Sequence, residues 1–145
     1  MDADPRGADA GAVARVAASV TELVEALWDR GRPAPVSPPQ LRVLRVLERH
    51  EGINLRGLTA QLGSSPPSVS RLCDRLQAVG LIDRSPSSSS RRELRLRLNA
   101  RGRSYLDDLR TRRSADLSAV ISDMPAPDRR ALLRGLTAFH AAAER

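Results

Sequence analysis

Arg71 and Arg75 stand one helical turn apart in a segment that reads Ser65-Pro-Pro-Ser-Val-Ser-Arg-Leu-Cys-Asp-Arg-Leu76. A guanidinium carries its N–H donors in a planar fork, so it can grip two acceptors on a guanine edge or two phosphate oxygens. Arg91 and Arg92 follow a run of four serines, Ser87 to Ser90, and form a second cationic pair. From Ser65 to Arg103 there are nine arginines and three acids, a balance of +6 within a chain whose total is +7. Charge focused in this way on one segment is the electrostatic footprint of a polyanion partner. All 24 basic residues are arginine, which reflects coding bias more than chemistry.

Residues for other chemistries are missing. Cys73 is the only cysteine, so no intrachain disulfide can form. His50 and His140 lie 90 positions apart, and neither HExxH nor CxxC occurs, so no metal site is expected. The nine glycines form neither GxGxxG nor a P-loop, and no cofactor is expected. With two distant histidines and no motif around any serine, a nucleophile–base pair is lacking and enzymatic activity is not expected. The three aromatics, Trp28, Tyr105 and Phe139, all lie outside the basic focus. Stacking of single-stranded bases therefore has no platform there. No apolar run of about 18 residues exists to cross a membrane. Asp2, Asp4, Asp9 and Arg15 argue against a signal peptide, so the expectation is a cytoplasmic protein without a membrane partner.

The elements that must position these arginines follow from periodicity and punctuation. Residues 1–9 read as a loose tail. Val13, Val16, Val20, Leu23, Val24, Leu27 and Trp28 recur at helical spacing up to Gly31. Ser37-Pro38 opens a second helix carrying Leu41, Leu44 and Leu47 inward, and Asn54 caps a short helix closed by Gly63. Ser65-Pro66 starts another helix at once, with Val69, Leu72, Cys73, Leu76 and Val79 on one face. Two short helices joined across a glycine turn make a helix-turn-helix. From Leu81 the period changes, and Glu93-Leu-Arg-Leu-Arg-Leu98 alternates strictly, as a half-buried strand does. Two strands around the Ser-Arg tip form a hairpin, so the whole is a winged helix. Asn99 caps a long helix, Met124-Pro-Ala-Pro127 turns, and Asp128 leads the last helix. The fold class is mainly α with a small β-hairpin, a winged helix-turn-helix flanked by N- and C-terminal helices.

With Val69, Leu72, Cys73 and Leu76 inward, the open face of the recognition helix carries Pro67, Ser68, Ser70, Arg71 and Arg75. Helix-turn-helix proteins present that helix start to the major groove. Arg71 and Arg75 either read guanine or only bind phosphate and pair with Asp74. Ser65 caps the helix, and its hydroxyl and the first amides could also hold a phosphate. Arg91 and Arg92 belong either to a minor-groove contact or to a mobile solvated turn. Arg95 and Arg97 are read as solvated or phosphate-facing. Cys73, on the apolar face, is read as a small hydrophobe rather than a redox sensor. Trp28, His50 and His140 are candidates for an effector pocket only through their scarcity.

The residues Leu62 to Leu76, Gly80-Leu-Ile-Asp-Arg84, Arg91-Arg92 and Leu96-Arg-Leu-Asn-Ala-Arg-Gly102 resemble the MarR family of bacterial regulators over almost the whole chain. That resemblance implies a single domain over 1–145, a winged-helix DNA-binding core at 36–100, and dimerisation helices at 10–30 and 101–145. It further implies a triangular homodimer on double-stranded DNA, transcriptional control that is usually repression, and often relief by a small-molecule effector. It gives Arg92 the minor-groove role and Arg84 a structural pairing with a carboxylate such as Asp74. Two departures stand out. Ser90 replaces the usual wing Asp, which predicts a looser wing. Asn99 replaces the usual Thr, with little effect expected because both can cap a helix. A two-fold pair of such modules would read a palindrome. The alternative function is a winged-helix adaptor for protein partners, without sequence-specific DNA binding.

Overall fold

The computed structural model describes residues 5–30, 35–90 and 92–145. Among them the elements run α1 (Pro5–Asp29), α2 (Pro38–Arg49), β1 (Ile53–Asn54), α3 (Leu55–Leu62), α4 (Pro66–Ala78), β2 (Ile82–Pro86), β3 (Leu94–Leu98), α5 (Ala100–Ser122) and α6 (Ala126–Ala143). The chain divides into two compact units, Pro33–Thr111 and Met1–Arg32 with Arg112–Arg145.

The first unit is built on short helices with strong local signals. Ser37 opens α2 with a capping box: its Oγ accepts from Gln40 N at 3.4 Å and Gln40 Oε1 accepts from Ser37 N at 2.8 Å. Asn54 Oδ1 accepts from Gly57 N at 2.8 Å and so starts α3. Gly63 ends α3 in the left-handed region, φ +60°, which a side chain would resist. The chain turns there and enters α4 within three residues. Val43, Leu44 and Leu47 of α2, Leu58 of α3, and Val69, Cys73 and Leu76 of α4 are all buried together with Ile82, Leu96, Leu98 and Leu106. Each such aliphatic side chain contributes about 1.5–3 kcal/mol on burial, so this cluster holds the helix-turn-helix rigid.

The sheet has three antiparallel strands in the order β1-β3-β2. Ile82 pairs with Leu98, Arg84 with Leu96 and Pro86 with Leu94, while Ile53 of β1 pairs with Leu96 on the other side. Leu96 and Leu98 point into the core as the alternation predicts, whereas Leu94, nearer the wing tip, stays 49% exposed. Strand β1 is a correction to the two-stranded hairpin expected from sequence. Two residues are too few to show a period.

Helix α5 enters against the sheet. Asn99 Oδ1 accepts from Gly102 N at 2.9 Å. Gly102 is buried so tightly that a Cβ would lie 2.2 Å from the Leu81 carbonyl oxygen, so only glycine fits. Further along, Arg110 makes a two-point pair with Glu48 of α2, one contact measuring 2.9 Å, and a 3.1 Å contact with Asp107. The Glu48 carboxyl is held below its usual range, chiefly by this hydrogen bond from Arg110.

The second unit contains α1, α6 and the C-terminal half of α5. Helix α1 begins at Pro5 rather than after residue 9, so the expected loose tail is corrected for residues 5–9. Proline suits a first helical turn, and the alanines that follow propagate it. The helix end expected at Gly31 lies outside the described residues. Helix α6 begins two residues before Asp128, which sits in its first turn and complements the helix dipole. Trp28 of α1 lies 4.2 Å from the Arg113 guanidinium carbon of α5, a cation–π contact. Val13, Val16, Val20 and Leu23 of α1 and Leu133, Leu136 and Phe139 of α6 are exposed.

Candidate nucleic-acid interface

Helix α4 carries the expected two faces. Val69, Cys73 and Leu76 are fully buried and Leu72 is half-buried against the core. Pro67, Ser68, Arg71 and Arg75 are exposed on the opposite side, while Ser70 is half-buried at the margin. Asp74 does not neutralise either arginine. Its Oδ1 is held by Arg84 Nη2 from β2 at 2.6 Å. Arg71 and Arg75 make no ion pair among the described residues, so their donors face solvent together. This favours a polyanion over an internal role.

The start of α4 differs from its sequence reading. Ser65 occupies the N-cap position, yet its side chain caps no backbone amide. Its hydroxyl instead donates to Ser68 Oγ at 2.9 Å. Pro66 and Pro67 have no N–H, so two of the helix's unsatisfied donors do not exist. The amides available to a phosphate reduce to those of Ser65 and Ser68, beside two exposed hydroxyls.

The wing tip is knitted together by serine. Ser87 is buried, its N–H donates to the Glu93 carbonyl at 2.8 Å, and its Oγ lies 2.9 Å from Ser89 Oγ. Ser90 receives two bonds: its Oγ accepts from Arg92 N at 3.3 Å, and its carbonyl accepts from Glu93 N at 3.2 Å. Serine at position 90 thus takes up backbone donors at the turn, and Arg92 projects from it exposed. Arg91 lies outside the described residues.

Arg95 is tied down more than the sequence suggested, whereas Arg97 stays exposed as expected. Arg95 Nη1 donates to the Gly52 carbonyl at 2.9 Å, and its Nη2 lies 3.5 Å from Glu93. Arg97 lies 3.9 Å from Glu51. Asn54 adds a bond that sequence reasoning missed: while its Oδ1 caps α3, its Nδ2 donates to Glu93 Oε1. Arg95 and Asn54 thereby join the base of the wing to the α3 entry.

Burial pushes the Cys73 thiol up, against a smaller lowering by the Arg84 charge. A buried thiol with a raised pKa is a poor nucleophile. No group of three His, Cys, Asp or Glu able to hold a metal occurs among the described residues, and no described helix is long and apolar enough to cross a membrane. His50 ends α2 exposed, His140 is exposed 3.4 Å from Glu144, and Trp28 is half-buried beneath Arg113.

Residues 34–93 match the family model described as MarR family. Among proteins of curated description, the chain is 27% identical over 101 residues to the HTH-type transcriptional repressor MdtR of Bacillus subtilis (strain 168). That match covers 70% of this chain and 63% of the relative, just under two thirds of its length. Among solved structures, RV1404 from Mycobacterium tuberculosis superposes with a TM-score of 0.75 at 29% identity, covering 99% of this chain and 97% of the other. A MepR variant of S. aureus bound to an oligodeoxyribonucleotide superposes with a TM-score of 0.67 at 15% identity, covering 92% and 96%.

Proposed function

We propose that this chain, a MarR-family transcriptional regulator by its matched segment and its fold, binds a palindromic double-stranded DNA operator as a homodimer and represses transcription. The observation that carries this is the open face of α4, where Arg71 and Arg75 stand exposed, without an ion pair among the described residues, beside a wing that presents Arg92. In the proposed mode α4 enters the major groove. Arg71 and Arg75 contact base edges and phosphates, and Pro67, Ser68 and Ser70 pack along the groove wall. Ser65 and Ser68 offer hydroxyls and amides to one phosphate, and Arg91 and Arg92 approach the adjacent minor groove. The winged helix at 36–100 is the reading module.

The helices at 10–30 and 101–145 pair two copies. Support comes from the apolar rows that α1 and α6 leave exposed, including Leu23, Leu133 and Phe139, each at least 67% accessible. Rows of this kind fit a self-complementary interface. The name of the MdtR relative supports repression, and the MepR structure supports DNA as the ligand of this fold. A small-molecule effector that releases the DNA completes the reading.

Selection of bound duplexes from a random pool tests it. The expected result is a two-fold symmetric sequence with half-sites about 10 bp apart. Binding without any enriched sequence would overturn it in favour of a winged-helix adaptor or simple phosphate neutralisation.

A further inference from the structure

We propose that Asn99 is a positioning residue that fixes the recognition helix relative to the wing, beyond its role as a helix cap; this rests on the DNA-binding reading above. The side chain sits where three elements converge. Its Oδ1 accepts from Gly102 N at 2.9 Å and starts α5. Its Nδ2 donates to the Gly80 carbonyl at 3.0 Å, directly after α4, and lies 3.2 Å from Asp83 Oδ1 on β2. The backbone repeats the pattern, with Asn99 N donating to the Leu81 carbonyl at 3.3 Å. The network leaves no ambiguity about the amide: only the orientation with Oδ1 toward the α5 amide satisfies all three contacts.

The consequence is geometric. Helix α4 and strand β2 are linked by Val79, Gly80 and Leu81, a connector whose angle sets how far α4 lies from the wing. Along α4, Asp74 is pinned to Arg84 of β2 at 2.6 Å. At the connector, Asn99 pins both the Gly80 carbonyl and Asp83. The buried cluster sets the coarse placement of α4, and these two polar contacts, at separate points, fix its final angle to β2. A threonine at position 99 could still cap α5, but its single hydroxyl cannot also supply two donors. Capping and positioning are thus separable in this chain. A displacement of α4 by a fraction of an ångström matters only to contacts that demand orientation, such as a bidentate arginine–guanine pair, and not to phosphate attraction.

The test compares the wild-type protein with Asn99→Thr and Asp83→Ala. Each is titrated with the duplex selected above and with a scrambled duplex of equal length, and the melting midpoint is recorded. The expected result for Asn99→Thr is a fall of about tenfold in the ratio of selected to scrambled affinity. The scrambled affinity, its salt slope and the melting midpoint stay near wild type. Asp83→Ala touches no cap, and the negative charge it removes acts on both duplexes alike. It is expected to lower the same ratio by a smaller factor, and the double variant falls no further than Asn99→Thr. Should Asn99→Thr melt early, Asp83→Ala alone decides: a lowered ratio supports positioning and an unchanged ratio overturns it. Unchanged ratios in both variants overturn the proposal while leaving the DNA-binding reading intact. A wild-type ratio of one overturns both, and is seen before any variant is made.

Discussion

At the scale of single residues, chemistry here reduces to where guanidinium groups are free and where they are spent. Arg84, Arg95 and Arg110 are engaged with Asp74, Glu93 and Glu48, whereas Arg71 and Arg75 face solvent from one helix side. Of the exposed arginines, Arg71 on α4 and Arg92 on the wing should respond differently to truncation. Arg71→Ala is expected to cost about 1–3 kcal/mol on the selected duplex and little on a scrambled one. Arg92→Ala is expected to weaken both duplexes alike and to reduce the salt slope by about one. Equal losses on both duplexes for Arg71→Ala would assign that side chain to phosphate only. Arg71 and Arg75 were legible in the sequence because helical spacing alone sorts α4 into faces. The hydrogen bond of Ser65 was not. A cap residue is visible in a sequence, but the same Ser-Pro-Pro start leaves open whether its hydroxyl meets a backbone amide, as Ser37 does, or a neighbouring hydroxyl, as Ser65 does.

At the scale of elements, local signals and long-range pins divide the labour. Ser37, Asn54 and Gly63 mark their helix ends in sequence because capping is a matter of neighbours three residues away. The pairing of β1, the Asn54–Glu93 bond and the Asn99 contacts with Gly80 and Asp83 join residues at least 16 apart in the chain, so periodicity carries no trace of them. The Glu48–Arg110 pair is another such pin, joining α2 to α5. Its pH dependence has a definite sign. The Glu48 pKa is lowered in the folded state, so the pair's contribution is fully present above the ordinary unfolded carboxylate pKa. That contribution is lost as pH falls through the folded value. Both groups are largely exposed, so the contribution is about 0.2–1 kcal/mol. Glu48→Gln is expected to lower the melting midpoint slightly at pH 7 and to converge with wild type in acid. A constant gap between the two melting curves across that range would show that the pair does not stabilise the fold.

At the scale of the molecule, the exposed rows of α1 and α6 ask for a partner, and a second copy is the one proposed. Leu136→Arg places a charge in the α6 row, where Leu136 is 55% exposed in the single chain. It is expected to shift the protein from dimer to monomer in sedimentation and to weaken binding to the symmetric duplex far more than to a single half-site. A wild-type chain that sediments as a monomer at micromolar concentration would remove the symmetry from the proposed mechanism. The fold class was legible in the sequence because each element carries its own signature. The proposed pairing of two copies rests, among the residues themselves, only on an excess of apolar side chains.

Sequence-specific recognition of duplex DNA is tested most directly by titrating the wild-type protein with its selected duplex and a scrambled duplex across a series of salt concentrations. Affinity for both should fall as salt rises, because phosphate contacts release counterions. The selected duplex should remain bound at least about a thousandfold more tightly at physiological salt. Two curves that coincide at every salt concentration would contradict it, and would leave the arginines of α4 and the wing as a surface for charge alone.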